Sequence, residues 1–284
     1  MRIDQGALLA WWSRRRRDLP WRATRDPWAI LVSETMLQQT QVARVLPKFL
    51  AFMEEFPTAQ VCAAADPGDV VRAWAGLGYN RRAIALHRAA ATVVDQFGGA
   101  FPATVDELRT LPGVGPYTAR AVCAFAHELD VAVVDTNVAR VLARTAGHRL
   151  TAKEVQARAD ALVPEGEGWA WNQAMLDLGA TVCQARTPSC KECPVAEACS
   201  WRGASDRVDP AIGSAGVSGG QSRFEGSDRQ GRGRLVSALR HAPVGVADLA
   251  TVMGWPDDPP RAERVATTLV ADRVVRFDEG VYRL

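Results

Sequence analysis

The amino-acid sequence predicts an all-α fold that ends in a small winged-helix-like domain. The first observation is that apolar residues recur at steps of three and four, the period of helices packed against a core. These helical stretches cover 28–56, 69–75, 81–97, 116–127, 138–146, 153–163 and 169–182. The second observation is that helix breakers such as Pro57, Gly98–Gly99 and Pro112–Gly113 separate the stretches. Before the change of pattern at residue 203, only residues 131–134 resemble a strand, and they are too few to found a sheet.

The third observation is a change of pattern near the end of the chain. Residues 203–222 are rich in glycine and serine and lack a periodic apolar face, so we expect a flexible linker there. The stretches that then return to helical periodicity are 230–241, 245–253 and 260–272. Two short apolar stretches, 274–277 and 281–284, flank a turn at 278–280 and predict a hairpin. Three helices followed by a hairpin are the outline of a winged helix.

The composition excludes several classes of protein. No run approaches the roughly 20 apolar residues of a membrane span, and we expect no signal peptide at the N-terminus. The formal net charge is only +2, which still permits a basic face for nucleic acid. Of the six cysteines, four lie in one loop, which is typical of a metal site in a reducing compartment rather than of a disulfide framework. We therefore expect a cytoplasmic protein without a membrane partner.

The most specific signal is a group of four cysteines, Cys183, Cys190, Cys193 and Cys199. Four thiolates in one short loop can surround a metal centre, and soft sulfur ligands favour zinc or an iron–sulfur cluster. A zinc ribbon usually pairs two CxxC motifs, whereas this loop has one, with longer and uneven gaps around it. The spacing therefore favours a [4Fe–4S] cluster over a zinc ion or unligated thiols.

A glycine turn between two helical stretches, LPGVG at 111–115, predicts a phosphate-binding turn. Glycine permits backbone geometry denied to other residues. In such a turn Gly113, Val114 and Gly115 would expose N–H groups at a helix N-terminus. Contacts of this kind bind DNA without reading its sequence. An ordinary helical hairpin is the alternative interpretation.

Two carboxylates differ in their predicted surroundings. Asp135 opens a helix, where N–H groups and the positive end of the helix dipole keep a carboxylate ionised. Glu34 is the only charged residue between Ala29 and Thr40, and apolar neighbours raise the pKa of a carboxyl group. A carboxyl pair with divergent pKa values is typical of acid–base work in glycosyl chemistry. The alternatives are helix capping alone for Asp135 and a surface position for Glu34.

Taken in order, these segments resemble the endonuclease III superfamily of base-excision DNA glycosylases, and most of all its MutY adenine glycosylases. The matching motifs are LPWR at 19–22, SETMLQQTQV at 33–42, GLGY at 76–79, LPGVGPYTA at 111–119, VDTNVARVLAR at 134–144 and NQAMLDLGA at 172–180, followed by the cysteine loop. The resemblance implies a bilobal, all-α helix-hairpin-helix glycosylase with a [4Fe–4S] cluster lobe, whose adenine site lies between the lobes. The implied divisions are an N-terminal segment of the cluster lobe (1–22), a helical barrel with the hairpin (23–130), the cluster lobe (131–202), a linker (203–228) and the winged-helix-like domain (229–284).

The resemblance also implies a reaction, the removal of adenine mispaired with 8-oxoguanine or guanine in double-stranded DNA. Glu34 would protonate N7 of the flipped adenine, and Asp135 would stabilise the oxocarbenium ion. Tyr117 and Asn137 would order this set. Tyr117 stands where bifunctional members carry a lysine that forms a Schiff base, so we expect a monofunctional enzyme. We expect a monomer that works at the bacterial nucleoid.

Further residues match family positions around the base and the duplex. By this resemblance the adenine pocket is lined by Arg16, Trp21, Leu37, Gln173 and Leu176. Gln38 and Tyr79 would wedge into the base stack, and Thr40 would contact the opposing base. The alternative for Trp21 and Leu37 is a role in the core only. The cluster is expected to shape a DNA-contacting loop rather than to take part in hydrolysis.

The chain departs from the family at its C-terminus. MutY relatives often end in a domain similar to 8-oxo-dGTP hydrolases, and residues 229–284 are too few and differently patterned. The basic residues at the start of this tail are Arg229, Arg232, Arg234 and Arg240. The tail is either a substitute DNA-binding module or a docking site for a protein partner of unknown identity. Two other functions stay open for the chain, a thymine–guanine mismatch glycosylase and a non-catalytic, cluster-bearing DNA-binding protein.

Overall fold

The structure is a computed structural model that describes residues 3–204, 206–217 and 223–284. It is mainly helical, which confirms the predicted fold class. The helices are α1 Gln5–Arg15, α2 Pro27–Leu37, α3 Val42–Glu55, α4 Ala59–Ala64, α5 Pro67–Ala73, α6 Arg81–Phe97, α7 Val105–Leu108, α8 Pro116–Ala126, α9 Thr136–Ala146, α10 Ala152–Asp160, α11 Gly168–Asp177, α12 Asp228–Leu239, α13 Val246–Met253 and α14 Pro259–Ala271. The strands are β1 Val244–Gly245, β2 Arg276–Asp278 and β3 Val281–Arg283. Among the described residues, no helix is both long and apolar enough to cross a membrane.

The chain forms two compact units. The first unit consists of Met1–Ile30, Ala103–Asp106 and Gly115–Gly220. The second unit consists of Leu31–Pro102, Glu107–Val114 and Gln221–Leu284. Each unit is therefore assembled from segments that are far apart in the sequence, so its core depends on long-range packing.

The core of the first unit is built from helices α1, α9 and α11. Its fully buried members include Leu8, Leu142 and Trp171. Helix α10 begins with a capping box, in which Thr151 and Glu154 satisfy each other's backbone N–H groups. Helix α11 continues into a π-helical turn at Leu178–Val182, which leads directly into the cysteine loop. The π-helical turn therefore fixes where that loop starts.

Part of the segment expected to be a flexible linker packs against the first unit. The Leu150 N–H donates to Ser214 Oγ at 3.1 Å, and the Ala215 N–H donates to the Leu150 carbonyl oxygen at 2.9 Å. Ala211 is buried in the first-unit core. Asp209 pairs with Arg144, whose side chain is almost fully buried. The composition of 203–222 did not predict this packing. Small residues produce no periodic apolar pattern, although they can fit closely against helices.

The second unit contains α3 to α6 and the C-terminal tail. Helices α4 and α6 pack together, and Phe52 of α3 meets the Trp74 ring edge-on, with ring centroids 5.9 Å apart. Helix α6 ends at Gly98, whose φ of 61° places it in the left-handed region that closes many helices. The hairpin turn at 111–114 belongs to this unit as well.

The tail consists of three helices and a small antiparallel sheet of order β1-β3-β2. Tyr282 of β3 pairs with Val244 on one side and with Phe277 on the other. Glu279 and Gly280 take positive φ values of 48° and 77° in the connecting turn, as tight hairpin turns require. The order of elements is consistent with the winged-helix outline. The two-residue strand β1 was not predicted, because it is too short to show alternation.

Candidate active site and cysteine pocket

Asp135 is the best-defined candidate catalytic residue of the first unit. It caps the N-terminus of α9, and its Oδ1 accepts a hydrogen bond from the Val138 N–H at 2.8 Å. Its Oδ2 accepts a second bond from the Asn137 side-chain amide at 2.7 Å. The structure thus brings two of the predicted catalytic residues, Asp135 and Asn137, into direct contact. The carboxylate is held in one orientation from both of its oxygens.

The ionisation of Asp135 differs from the simple helix-capping expectation. Burial raises the pKa of its carboxyl group, and the hydrogen bonds from Val138 and Asn137 together with the charge of Arg140 oppose that rise only in part. The net pKa lies above the usual value for aspartate. Helix N–H groups do bind the carboxylate, but they do not cancel the cost of removing it from water. The anion is therefore of higher energy here than on the surface.

Arg140 extends this arrangement toward the cysteine loop. Its guanidinium donates to Asn137 Oδ1 and to the Gly179 carbonyl oxygen, both at 2.7 Å. Its Nε donates to the Cys183 carbonyl oxygen at 2.8 Å. A Cβ added at Gly179 would lie 2.6 Å from the Asn137 Cβ, so only glycine permits this close approach. One buried cation thus connects the partner of Asp135 with the start of the cysteine loop.

The predicted pocket residues of the first unit lie near a second buried network, centred on Asp177. The Asp177 carboxylate accepts hydrogen bonds from Arg17, Arg22 and the Trp12 indole. Burial would raise its pKa, but the two arginines outweigh burial and lower it. Arg22 follows Trp21 in the chain, and Asp177 follows Leu176 on α11. The network therefore joins the LPWR segment to the helix that carries Gln173.

The remaining first-unit candidates differ in exposure. Trp21 and Gln173 are buried, Leu176 and Tyr117 are half-buried, and Arg16 is exposed at the end of α1. The Arg16 guanidinium lies 5.9 Å from the centre of the Trp12 ring. Tyr117 occupies the first turn of α8, directly after the hairpin glycines.

Glu34 lies on α2 in the second unit and is buried, with 6% of its surface exposed. Its helix is strongly apolar, since Leu31, Val32 and Met36 are essentially inaccessible to solvent. This excludes the alternative of a surface position. Leu37 ends the helix and is half-buried.

Arg82 fixes the end of α2 and the residues that follow it. Its Nη1 donates to the carbonyl oxygens of Thr35 and Gln38, at 2.7 and 2.6 Å. Its Nη2 donates to Thr40 Oγ1 at 3.2 Å and to the Gly78 carbonyl oxygen at 3.1 Å. Burial lowers the pKa of Arg82 to about 10. The helix end carries partial negative charge, which favours a cation at this position.

The structure brings several predicted DNA-contacting residues together around Arg82. Gln38 and Thr40 are half-buried, whereas Tyr79 is exposed and takes a left-handed φ of 47°. The Tyr79 ring lies 5.6 Å from the Arg82 guanidinium, and its hydroxyl accepts a hydrogen bond from Arg229 of the tail. Strained backbone at an exposed aromatic residue is typical of functional positions.

The two glycines of the hairpin have different reasons to be glycine. Gly113 has a φ of 78°, and a Cβ there would lie 2.6 Å from the Ala85 Cβ of α6. Gly115 has an ordinary extended conformation with open space around it, and caps α8 in the first unit. Val114 between them is buried. The expectation of special backbone geometry therefore applies to Gly113 and not to Gly115.

The four predicted ligands, Cys183, Cys190, Cys193 and Cys199, line one pocket. Its other walls include the apolar side chains of Val141, Leu178, Val182 and Val195. Within the described residues, no three Cys, His, Asp or Glu side chains converge closely enough to hold a single metal ion. Four sulfurs spread around one apolar pocket fit a group with several metal atoms, each bound to a different sulfur.

Arg144 supports this pocket from α9. It donates to Cys183 Sγ at 3.3 Å and to the carbonyl oxygens of Gln184 and Ala185. Its positive charge is balanced by Asp209, and the Trp201 ring covers it with the centroid 4.5 Å away. The backbone N–H of Arg202 donates to Cys199 Sγ at 3.3 Å. These donors would stabilise thiolate sulfurs.

Sequence reasoning missed the arginines that organise the site, namely Arg82, Arg140 and Arg144. Arg140 and Arg144 are four residues apart on one face of α9, beside apolar residues, and this spacing was a usable signal for buried cations. Arg82 offered no such signal, because its acceptors are the Thr40 hydroxyl and main-chain carbonyls at the end of α2 and in the turn before α6.

Comparison with known proteins identifies the family to which the chain is similar. The model of the HhH-GPD superfamily of base excision DNA repair proteins matches residues 32–165. The adenine DNA glycosylase of Mycolicibacterium smegmatis is 41% identical over 280 residues, which are 97% of this chain and 93% of that protein. The adenine DNA glycosylase of Mycobacterium tuberculosis is 44% identical over 290 residues, 99% of this chain and 93% of that protein.

Solved structures show the same fold. A thermostable thymine-DNA glycosylase aligns with a TM-score of 0.65 and 30% identity, covering 70% of this chain and 94% of that one. Endonuclease III in a trapped covalent DNA complex aligns with a TM-score of 0.62 and 25% identity, covering 70% of this chain and 93% of that one. The sequence relatives are more similar and extend over the tail. The chain therefore belongs to the adenine DNA glycosylases of the helix-hairpin-helix superfamily of base-excision repair proteins.

Proposed function

We propose that this protein removes adenine that is mispaired with 8-oxoguanine or guanine in double-stranded DNA, by hydrolysis of the N-glycosidic bond. The observation that carries the proposal is the Asp135 carboxylate, held at the start of α9 by Val138 and Asn137. Its setting, and the 41–44% identity to adenine DNA glycosylases over nearly the whole chain, support this substrate. The protein acts as a monomer in the bacterial cytoplasm.

The first step is protonation of the base by Glu34. Neither N7 of adenine nor C1′ of its sugar can be reached inside a stacked duplex, so the nucleotide is first flipped out. A proton on N7 turns adenine into a neutral leaving group. Glu34 is buried on α2, away from bulk water, which suits a carboxyl group that acts as general acid in this proposal.

The second step is stabilisation of the sugar cation by Asp135. As the bond to adenine breaks, positive charge develops on the sugar, and an ionised carboxylate lowers the energy of that state. Because burial raises the pKa of Asp135, its anion is of high energy before the reaction. The free energy of this anion falls when the sugar cation forms beside it. Glu34, now a carboxylate, activates the water that completes hydrolysis. Arg16, Trp21, Gln173 and Leu176 of the first unit line the adenine pocket in this proposal.

The enzyme is monofunctional in this proposal. Tyr117 follows the hairpin where a lysine would be needed for an imine, and the sequence has no lysine between Lys48 and Lys153. The product is then an abasic site in an intact strand, which breaks only after treatment with alkali.

The four cysteines are the residues that would hold a [4Fe–4S] cluster. When bound, such a group supplies a structural cross-link between both ends of the loop and no step of hydrolysis. Arg140 and Arg144 fix the loop to α9, and the exposed Arg186 and Lys191 would face the DNA backbone. Zinc in the same pocket is the competing assignment, and iron and acid-labile sulfide analysis distinguishes the two.

A second candidate function is removal of thymine mispaired with guanine. The observation that favours it is the alignment with a thermostable thymine-DNA glycosylase at 30% identity. That alignment covers 70% of this chain, whereas the adenine DNA glycosylases align over 97–99%.

The test is single-turnover cleavage of labelled duplexes with A opposite 8-oxoguanine, A opposite G, and T opposite G, each processed with and without alkali. Alkali-dependent breaks at A, fastest opposite 8-oxoguanine, are the expected result. Cleavage only at T would show that the protein removes thymine mispaired with guanine. Breaks without alkali would contradict the monofunctional mechanism. Binding without cleavage of any duplex would identify a non-catalytic DNA-binding protein.

A further inference from the structure

A polar groove in the second unit lies between the tail and the hairpin turn. Its volume is about 640 Å³. The residues that line it are Thr35, Gln38, Arg81, Arg82, Ile84, Ala85, Arg88, Pro112, Gly113, Ala271, Asp272 and Arg273. Four separate parts of the chain thus meet here: the end of α2, helix α6, the glycine turn, and the residues that end α14.

The groove is strongly basic. Arg81 and Arg88 on α6 and Arg273 after α14 are exposed, and none of the three forms an ion pair within the part of the chain that the structure describes. The carboxylate in the lining, Asp272, is neutralised by an ion pair with Arg232. The three arginines therefore face solvent with uncompensated charge.

The tail contributes to this groove from a fixed position. Arg276 of β2 pairs with Asp66 at 3.1 Å, and Arg240 donates to the Val71 carbonyl oxygen at 3.3 Å. A Cβ added at Gly68 would lie 2.9 Å from the main chain of Leu284, so the end of the chain packs tightly against α5. Arg273 is consequently held opposite α6.

We propose that this groove binds the phosphodiester backbone of duplex DNA, and that Arg273 makes the tail part of the DNA-binding surface. Guanidinium groups bind phosphate through paired N–H donors, and unpaired arginines on both sides of a groove suit a polyanion that runs along it. The glycine turn at Pro112 and Gly113 packs against Ala85 of α6 and forms the third side of the groove. The inference rests on the proposed function only in taking duplex DNA as the ligand.

The conformation of Arg273 guides the choice of variant. Its φ of 57° lies in the left-handed region, where asparagine is tolerated far better than alanine. Arg273→Asn therefore removes the charge without adding backbone strain. Arg88→Gln removes a charge from the opposite wall, and Arg283→Asn removes an exposed charge of the tail that does not line the groove.

The experiment measures the affinity of the full-length variants for an undamaged duplex and for an A:8-oxoguanine duplex by fluorescence anisotropy, between about 50 and 200 mM salt. Each lost phosphate contact should reduce the slope of log affinity against log salt by about 0.9. Wild type then loses about 3.5-fold more affinity than Arg273→Asn across that range. Arg88→Gln should behave in the same way, and the double variant should lose about 1.8 from the slope. Arg283→Asn should match wild type.

Two results would overturn the inference. One is an unchanged slope for both Arg273→Asn and Arg88→Gln. The other is a loss confined to the mispaired duplex, because backbone contacts carry no base information. If wild type binds DNA but cleaves no duplex, the proposed function fails. The slopes of log affinity against log salt still show whether the groove binds DNA.

Discussion

Asp135 in the first unit and Glu34 in the second unit are both removed from water, but in opposite ways. Asp135 has polar partners on both oxygens, while Glu34 is buried on α2 between Ser33 and Thr35, in a helix whose other buried residues include Leu31, Val32 and Met36. An arginine stabilises the surroundings of each carboxyl group. Arg140 binds Asn137, the partner of Asp135, and Arg82 binds the end of α2, the helix that carries Glu34. The difference shows that burial alone does not define the surroundings of a carboxyl group, since the hydrogen bonds that hold Asp135 come from its own helix start.

The two arginines differ in one respect that matters for function. Arg140 donates to Asn137, which in turn donates to Asp135, so its charge acts on the carboxylate. The hydrogen bonds of Arg82 go to main-chain carbonyls and to the Thr40 hydroxyl. Loss of Arg140 should therefore change the ionisation of Asp135, whereas loss of Arg82 should change stability.

The largest expected effect is that of Glu34→Gln on catalysis. Glutamine cannot donate an acidic proton to the base, so the single-turnover rate should fall by about 10²–10⁴-fold with DNA binding retained. Glu54→Gln, an exposed glutamate of the same unit, should leave the rate unchanged. A normal rate in Glu34→Gln would remove the general acid from the mechanism.

The next effect concerns stability, in Arg82→Met. The buried carbonyls at the end of α2 and in the 77–78 turn would lose their donor, at a cost of about 1 kcal/mol each and roughly 3 kcal/mol in total. Chemical denaturation measures the change. The adjacent, exposed Arg81→Met should stay within about 0.5 kcal/mol of wild type. Equal stability of the two variants would show that the Arg82 contacts contribute nothing.

A smaller and more specific effect is expected for Arg140→Met. The charge of Arg140 lowers the pKa of Asp135 against the rise caused by burial, so its loss raises that pKa further. The fraction of ionised Asp135 then falls at a given pH, and the acid limb of the single-turnover pH–rate profile moves to higher pH. Arg140→Lys keeps the charge and should leave the limb near its wild-type position. If Arg140→Met and Arg140→Lys shift the acid limb equally, the charge of Arg140 does not control the pKa of Asp135.

The smallest effect is a pH-dependent change in the stability of Asp135→Asn relative to wild type. Because burial raises the pKa of Asp135, its ionised form is less favourable in the folded than in the unfolded protein. Above both pKa values this charge costs stability, and the cost disappears as the pH falls and the group becomes protonated. Asparagine caps helices as well as aspartate does, but its Nδ2 replaces the oxygen that accepts from the Asn137 amide, and this loss does not depend on pH. The Tm of the variant relative to wild type should therefore be higher at neutral pH than at acidic pH, and a difference that is the same at both would contradict this.

The sequence allowed local features to be predicted and left long-range ones hidden. The helix start at Asp135 and the left-handed turn at Gly113 follow from neighbouring residues, so pattern alone identified them. The packing of Asp209 and Ser214 on the first unit could not be read from a glycine-rich segment. The contacts of Arg82 join residues up to 47 positions apart, and their acceptors are main-chain atoms with no sequence signature.

The central claim is that an ionised Asp135 stabilises the sugar cation, and the single-turnover rate of Asp135→Asn on an A:8-oxoguanine duplex tests it most directly. Chemical denaturation of the variant shows whether it stays folded under the assay conditions, which separates a loss of rate from unfolding. We predict a fall of about 10²–10³-fold with unchanged affinity for the duplex. A rate close to that of wild type would contradict the mechanism.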